Sequence, residues 1–168
     1  MVVGIIDFFI TLIEVGYKKV SRKKFPFIKE NFGYECGPRC LQMMFKYYGK
    51  EVAFDVIARE TEMSEIRGTS LLNLDTCAKI HGFKTLGIKV TYDGKDGKQN
   101  GLLDVPLPCI VHLKTNYFAV LTKANRYEVT MVHPREGRHT LTSEDFCNKW
   151  ISDTEGETGI ALLIEKLK

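Results

Sequence analysis

The sequence lacks several features that would assign it to a class at once. Its five cysteines include no CxxC pair, so their spacing indicates neither a disulfide framework nor a zinc knuckle. No run of eighteen apolar residues occurs, which excludes a conventional membrane-spanning helix. The formal net charge of +3 at pH 7 is too small to indicate nucleic-acid binding. A GxxxxGK[ST] loop is also missing, so ATP is not an expected ligand.

What the chain contains is the composition of one globular domain. Its 168 residues are 44% hydrophobic and 27% charged, which is enough apolar material for a core. There is no internal repeat, low-complexity tract or interior linker. We interpret the cysteines as reduced thiols of a cytoplasmic protein, and we expect no cofactor and no bound metal.

The first 24 residues differ from the rest. Residues 2–15 are apolar except for four polar or small residues spaced three and four apart, which predicts an amphipathic helix. A basic cluster follows: Lys18, Lys19, Arg22, Lys23 and Lys24. Charges after the apolar run do not fit a secretory signal. Two interpretations stay open, namely a helix that packs on protein and a helix that lies on the inner face of the cell membrane. We expect a separate domain over residues 25–168.

From residue 25 onward, the pattern predicts helices first and strands second. One helix begins near Cys36 and ends before Gly49, a second covers roughly 53–60, and a third runs from a cap at Thr69 or Ser70 to Gly82. Helical spacing predicts that one face of each long helix points to the core. These core positions are Cys40, Leu41, Met44, Phe45 and Tyr48 in the first, and Leu71, Leu74, Cys77, Ala78 and Ile80 in the third.

Strand-like segments follow Gly82. They are FKTLGIKV, LPCIVHL, YFAVLTK, YEVTMVH and GIALLIEKL, with a turn-rich DGKDGKQNG between the first two. Helices followed by strands indicate an α+β domain, with two halves packed across one core. Trp150, Cys109 and Cys147 are expected in that core.

Cys36 is the residue most suggestive of chemistry. At a helix start, backbone N–H groups stabilise a thiolate and lower the thiol pKa, although a small buried cysteine is an equally good interpretation. A nucleophile also needs a base, and spacing assigns none of the four histidines to that role. His81 is expected to cap a helix and His112 to lie hydrogen-bonded in a strand, while His133 and His139 flank a turn.

Five sequence blocks run in order from about Phe25 to Leu167. They are ECGPRCLQMMFKYYGK, GTSLLNLDTCAKIHGF, LPCIVHLKTNYFAVL, HPREGRHTL and Trp150 followed by GIALLIE. Together these blocks resemble the C39 peptidases, the papain-like domains that cut double-glycine leaders in bacterial peptide-exporting ABC transporters. The resemblance implies a papain-like α+β fold, a leader peptide or exported polypeptide as partner, and an association with an ABC transporter.

The resemblance also implies which residues occupy the catalytic positions. Cys36 stands in the family's D/E-C-G-x-x-C block as the nucleophile. Tyr117 replaces the histidine of an H-F-V-V-L strand, and His133 replaces the aspartate sixteen residues later. Glu30 replaces the oxyanion glutamine six residues before the cysteine. Three of these four positions are therefore changed.

Two of these changes, at Tyr117 and Glu30, directly oppose catalysis. Tyrosine, with an ordinary pKa near about 10, is a poor base near neutral pH. An ionised Glu30 repels a developing oxyanion, whose stabilising donor is normally worth about 10²–10³ in rate. We therefore expect a C39-like domain that binds a leader or exported polypeptide without efficient cleavage. The alternatives are an active peptidase in which His133 reaches Cys36 in a rearranged site, and a partner-binding or inhibitory protein that acts through the N-terminal helix.

Overall fold

The computed structural model describes residues 23–94, 101–152 and 156–167. The predicted amphipathic helix at residues 2–15 lies outside the described residues, as do three residues of the basic cluster and part of the predicted turn. Among the described residues, no helix combines the length and the apolar character needed to cross a bilayer.

Three helices form the first half of the domain, as the sequence predicts. They follow a 3₁₀ turn at Gly33–Glu35, and they are α1 (Cys36–Tyr47), α2 (Phe54–Glu60) and α3 (Leu71–Ile80). The Ser70 side chain caps α3 by accepting a hydrogen bond from Asn73 N at 3.1 Å. Gly82 follows α3 with φ +82°, a left-handed conformation that glycine adopts without strain.

A six-stranded antiparallel sheet forms the second half, in the order β1-β6-β2-β3-β4-β5. The strands are β1 (Phe83–Val90), β2 (Cys109–Leu113), β3 (Tyr117–Ala124), β4 (Glu128–His133), β5 (Gly137–Thr142) and β6 (Gly159–Lys166). All five predicted strands are present. The α+β fold class is therefore confirmed.

Two elements differ from the sequence prediction. β5 was expected to be part of a turn region, and its alternation of exposed and half-buried residues at a sheet edge explains its weak apolar signal. Helix α4 (Ser143–Trp150) lies between β5 and β6, so the helices do not all precede the strands. Thr142 caps α4 by accepting a hydrogen bond from Asp145 N at 3.1 Å.

The sheet separates two apolar clusters, where the sequence predicted one core. Helices α1–α3 cover one face, and α4 with its Trp150 side chain covers the other. Trp150 and Cys109 are fully buried, as predicted, whereas Cys147 is only half-buried. Ile80 was also placed wrongly, because it is 62% exposed. It lies outside the face that Leu74, Cys77 and Ala78 share, so helical phase excludes it from the core.

The contact between Gly159 and Trp150 predicts a stability effect. A Cβ atom on Gly159 would lie 2.3 Å from Cε2 of the fully buried Trp150 ring. We expect Gly159→Ala to lower the free energy of unfolding by about 1–3 kcal/mol in urea denaturation, because the core cannot accept the extra methyl group. Gly87→Ala is the matched control on β1, since its Cβ would meet nothing closer than 3.8 Å. Equal stability of the two variants would contradict this packing.

Candidate active site

Helix α1 begins at Cys36, and close packing against β3 positions this residue. The next residue is Gly37, where a Cβ atom would lie 2.5 Å from Thr69 Cγ2 and 3.0 Å from Phe118 Cδ2. Glycine therefore lets the start of α1 approach β3. Cys36 itself is buried, with 6% of its surface exposed.

Burial dominates the chemistry of the Cys36 thiol. Its pKa is raised, first by desolvation and further by the nearby negative charge of Glu30. The backbone amides of Phe118 and Gly37 lower the pKa, but they do not outweigh desolvation. The amides at the helix start therefore act in the expected direction, but desolvation outweighs them, which favours the small buried cysteine over the poised thiolate of the two interpretations.

Glu30 connects the extended segment before α1 to two other parts of the domain. Its backbone N–H donates to Pro134 O at 3.0 Å. Its side chain is only 2% exposed, and both carboxylate oxygens accept hydrogen bonds. The Tyr117 hydroxyl donates to Oε2, and Arg135 Nε donates to Oε1 at 2.9 Å. A buried carboxylate is thus held by one neutral donor and one cation.

Tyr117 is the first residue of β3, and it acts as a donor in this network. Its pKa is raised strongly above its ordinary value, first by burial and then by the hydrogen bond to Glu30. The hydroxyl therefore keeps its proton at neutral pH. Tyr117 also lies near enough to Cys36 for a thiolate there to disfavour the phenolate.

His133 ends β4 and stacks on Tyr117. The two rings are parallel within 2°, with their centroids 4.3 Å apart. His133 Nδ1 accepts long hydrogen bonds from the backbone N–H groups of Arg135 at 3.3 Å and Glu136 at 3.4 Å. Burial lowers the pKa of His133, so the imidazole is neutral near pH 7. One ring nitrogen is thus committed to the turn that follows β4.

The structure therefore brings Cys36, Tyr117, His133 and Glu30 into one region of the domain. Within the described residues, no hydrogen bond joins the Cys36 thiol to an imidazole. The stacked His133 ring contacts the Tyr117 ring, and its Nδ1 faces the backbone of the turn. The arrangement provides a protonated thiol, a protonated phenol and a paired carboxylate, none of which is a ready proton acceptor at neutral pH.

Of the other histidines, His81 and His112 make their side-chain hydrogen bonds elsewhere, whereas the His139 ring meets the His133 ring edge-on, with centroids 6.4 Å apart. His81 follows α3 as its C-cap, as predicted, and its Nε2 lies 2.7 Å from Glu60 Oε2. His112 lies on β2, with Nε2 3.0 Å from Asn116 Oδ1. His139 Nε2 lies 3.3 Å from a carboxylate oxygen of its neighbour on the β4–β5 turn.

Arg135 is a residue of this site that sequence reasoning missed. Its guanidinium lies against Gly33, where a Cβ atom would be 2.5 Å from Nη2, and it pairs with Glu30. The position of Glu30 in the sequence could have indicated that a cation lies near it. A carboxylate in a buried segment requires a cation or several donors nearby. The turn Pro134–Gly137 contains such a cation, Arg135, two residues after His133 in the sequence.

A cysteine at the start of the first core helix and an antiparallel sheet behind that helix are the arrangement that the sequence resemblance to cysteine peptidases implies. The sequence profile of the Peptidase C39 family matches residues 24–166. The chain therefore belongs to the Peptidase C39 family.

Curated relatives are larger proteins of peptide secretion. The chain is 28% identical over 141 residues to the probable microcin-H47 secretion/processing ATP-binding protein MchF of Escherichia coli, covering 84% of this chain and 18% of that protein. It is 27% identical over 120 residues to the lactococcin-G-processing and transport ATP-binding protein LagD of Lactococcus lactis subsp. lactis, covering 69% and 16%. The chain thus spans less than a fifth of the length of these two relatives.

Solved structures match across almost the whole domain. A double glycine motif protease from an AMS/PCAT transporter, in complex with the leader peptide, is 27% identical with a TM-score of 0.70, covering 88% of this chain and 97% of that chain. The peptidase domain of Streptococcus ComA is 20% identical with a TM-score of 0.70, covering 86% and 100%. The second similarity supports the fold alone.

The network around Glu30 predicts a coupled stability effect. We expect Glu30→Ala to lower the free energy of unfolding by about 1–3 kcal/mol, because the half-buried Tyr117 hydroxyl loses its acceptor. In a double-mutant cycle with Tyr117→Phe, the coupling energy should be about 0.5–3 kcal/mol.

The matched control for this cycle is Tyr92→Phe, whose hydroxyl donates to Asn125 O at 2.7 Å and does not contact Glu30. Its effect should add to that of Glu30→Ala within about 0.5 kcal/mol. Additivity in the Tyr117 cycle as well would rule out the hydrogen bond as an energetic link.

Proposed function

We propose that this domain binds the leader of an exported polypeptide and does not cleave it efficiently. The observation that carries the proposal is the hydrogen bond from Tyr117 to Glu30. By the family resemblance, Tyr117 occupies the position of the catalytic histidine and Glu30 that of the oxyanion glutamine. The proposed partner is a leader peptide, together with an ABC transporter at the inner face of the cell membrane. Residues 2–24 are proposed to contact that membrane or a protein partner.

Loss of the base is the first support for weak catalysis. A cysteine peptidase requires a thiolate and a group that accepts and returns the proton. Here the pKa of the Cys36 thiol is raised, and the Tyr117 hydroxyl is already donating to Glu30. Proton transfer from Cys36 therefore has no acceptor in the hydrogen bonds described.

The oxyanion position is the second support. An amide side chain at that position would donate to the tetrahedral oxyanion, whereas Glu30 offers only acceptor oxygens. Arg135 and Tyr117 occupy both of those oxygens. Pairing makes the buried charge tolerable, but it does not create a donor from the carboxylate.

A cavity near the start of α1 supports the peptide-binding part of the proposal. A cavity of about 700 Å³ lies beside the start of α1, lined by residues of the α2–α3 connection and by Asn116. Among its lining residues, Thr69 packs on Gly37 and Asn116 directly precedes Tyr117. The solved relative in complex with its leader peptide provides a precedent for peptide binding by this fold.

An active peptidase with a rearranged site is the second candidate. It is favoured by the retained Cys36 and by the backbone amides of Phe118 and Gly37, which lower the thiol pKa. In this candidate, His133 leaves the Tyr117 ring and takes the thiol proton. Its neutral state suits a base, although its Nδ1 first has to release the two turn amides.

Peptide binding and turnover can be measured with the same probe, a fluorescein-labelled double-glycine leader extended by several residues. We expect anisotropy to show binding and mass spectrometry to show no cleavage by the wild type. The triple variant Tyr117→His, His133→Asp and Glu30→Gln should cleave the probe, because it restores the base, its orienting carboxylate and the oxyanion donor. Cys36→Ser added to that variant is the control. Cleavage by the wild type would contradict the proposal, and absence of binding would contradict its peptide-binding part.

Alkylation of Cys36 tests the state of its sulfur. Because burial raises its pKa above the ordinary value of a thiol, Cys36 is protonated at pH 7. We expect slow modification by iodoacetamide that accelerates steadily between pH 7 and 9, measured by peptide mapping. Glu30→Gln should accelerate it, since a charge that disfavours the thiolate is removed, whereas Glu128→Gln should not. A rate plateau near neutral pH would instead indicate a thiolate paired with an imidazolium.

A further inference from the structure

A second cluster of reactive side chains lies apart from the Cys36 site, where α2 and α3 end. It consists of Glu60, Cys77 and His81, whose ligand atoms all lie within 4.8 Å of one another. One is a carboxylate, one a thiol and one an imidazole. The proposed peptide-binding function uses none of them.

Two helices position these three side chains. Cys77 and His81 are four residues apart at the end of α3, so they occupy adjacent turns of one face. Glu60 is the last residue of α2 and approaches that face. The His81 ring packs against the buried Phe45 ring with centroids 5.0 Å apart, and Lys50 Nζ donates to His81 O at 2.6 Å. The imidazole is therefore fixed before any ligand arrives.

One carboxylate oxygen of Glu60 lies close to the ligand atoms of both Cys77 and His81. Glu60 Oε2 lies 3.4 Å from Cys77 Sγ and 2.7 Å from His81 Nε2. Ligand atoms around tetrahedral zinc are about 3.3–3.6 Å apart, as follows from bond lengths of about 2.0–2.3 Å. The distance from Glu60 Oε2 to Cys77 Sγ already fits this range, whereas the distance from Glu60 Oε2 to His81 Nε2 has to increase by about 0.6 Å. Side-chain rotation of Glu60, which is 24% exposed, can supply that movement.

We propose that Glu60, Cys77 and His81 form a binding site for a divalent zinc-like cation. A thiolate with an imidazole selects borderline-soft cations such as Zn²⁺ over Mg²⁺ or Ca²⁺, which prefer oxygen ligands. On binding, the metal replaces the Cys77 thiol proton, which leaves to solvent. The thiolate and the carboxylate then balance the two positive charges of the cation.

The remaining coordination position faces solvent. The side chains of His81 and Glu60 are 14% and 24% exposed, whereas Cys77 lies beneath them. A water molecule can therefore complete a tetrahedral shell from the outer side. The Lys50 ammonium is a nearby positive charge that would repel a cation, but it donates its hydrogen bond to the His81 backbone carbonyl. A bound cation would tie the end of α2 to the end of α3.

This inference departs from the expectation of no bound metal. That expectation came from the absence of a CxxC pair, which tests only for sites built from closely spaced cysteines. Here one ligand lies 17 residues before the cysteine and one four residues after it. Only the packing of α2 against α3 brings them together.

Cobalt and zinc titrations of the whole chain test the site. We expect Co²⁺ to bind with one equivalent and to give thiolate-to-metal charge-transfer absorption, and Zn²⁺ to displace it. Cys77→Ser should abolish the absorption band. His81→Gln and Glu60→Gln should weaken Zn²⁺ binding about tenfold or more, measured against a chromophoric chelator. Zn²⁺ should raise the Tm of the wild type more than that of these variants at the same metal concentration.

Cys147→Ser and His112→Gln are the matched controls, and both should bind the metal like the wild type. No binding at micromolar metal, or a charge-transfer band that persists in Cys77→Ser, would overturn the proposal. If Cys77→Ser does not fold, as circular dichroism would show, His81→Gln decides the outcome. Unweakened Zn²⁺ binding by that variant would also overturn the proposal.

Discussion

A buried carboxylate needs partners, and this requirement organises the region around Glu30. With only 2% of its side chain exposed, Glu30 has to be satisfied by protein donors. Tyr117 provides one from the start of β3, and Arg135 provides the other from the turn after β4. The backbone of Glu30 is bonded to the same turn. One side chain thus joins the segment before α1, the centre of the sheet and its far edge.

The same contacts compete with peptide-bond chemistry. Tyr117 satisfies Glu30 because it keeps its proton, and a group that keeps its proton is not a base. His133 stacks on that phenol and uses Nδ1 for the turn amides. A site with its charges this well paired is stable, whereas cysteine proteolysis requires groups that exchange protons readily. The proposed loss of activity follows from this pairing more than from any single substitution.

The sequence predicted most of the fold because its signals were local. Gly49, Ser70 and Gly82 marked helix ends, and apolar segments marked the five predicted strands. β5 was missed because an edge strand carries little apolar periodicity, and Ile80 was misplaced by helical phase. At the site, the family resemblance identified the four catalytic positions, but it did not predict that the pKa of the Cys36 thiol is raised. Its causes are burial and a charge six residues away, and neither the burial nor the pairing of Glu30 with Arg135 is visible before the chain is folded.

The position of the last strand has a consequence for how the domain assembles. β1 has one neighbour in the sheet, β6, and β6 also pairs with β2. Until residues 159–166 have left the ribosome, β1 has no strand partner among the described strands, and the helical half is not yet joined to the sheet through a strand pair. Such long-range pairing carries a large loop-closure entropy and slows folding. Until β6 pairs with both of them, β1 and β2 each present an unpaired strand edge, the kind of surface that favours aggregation of an incompletely folded chain.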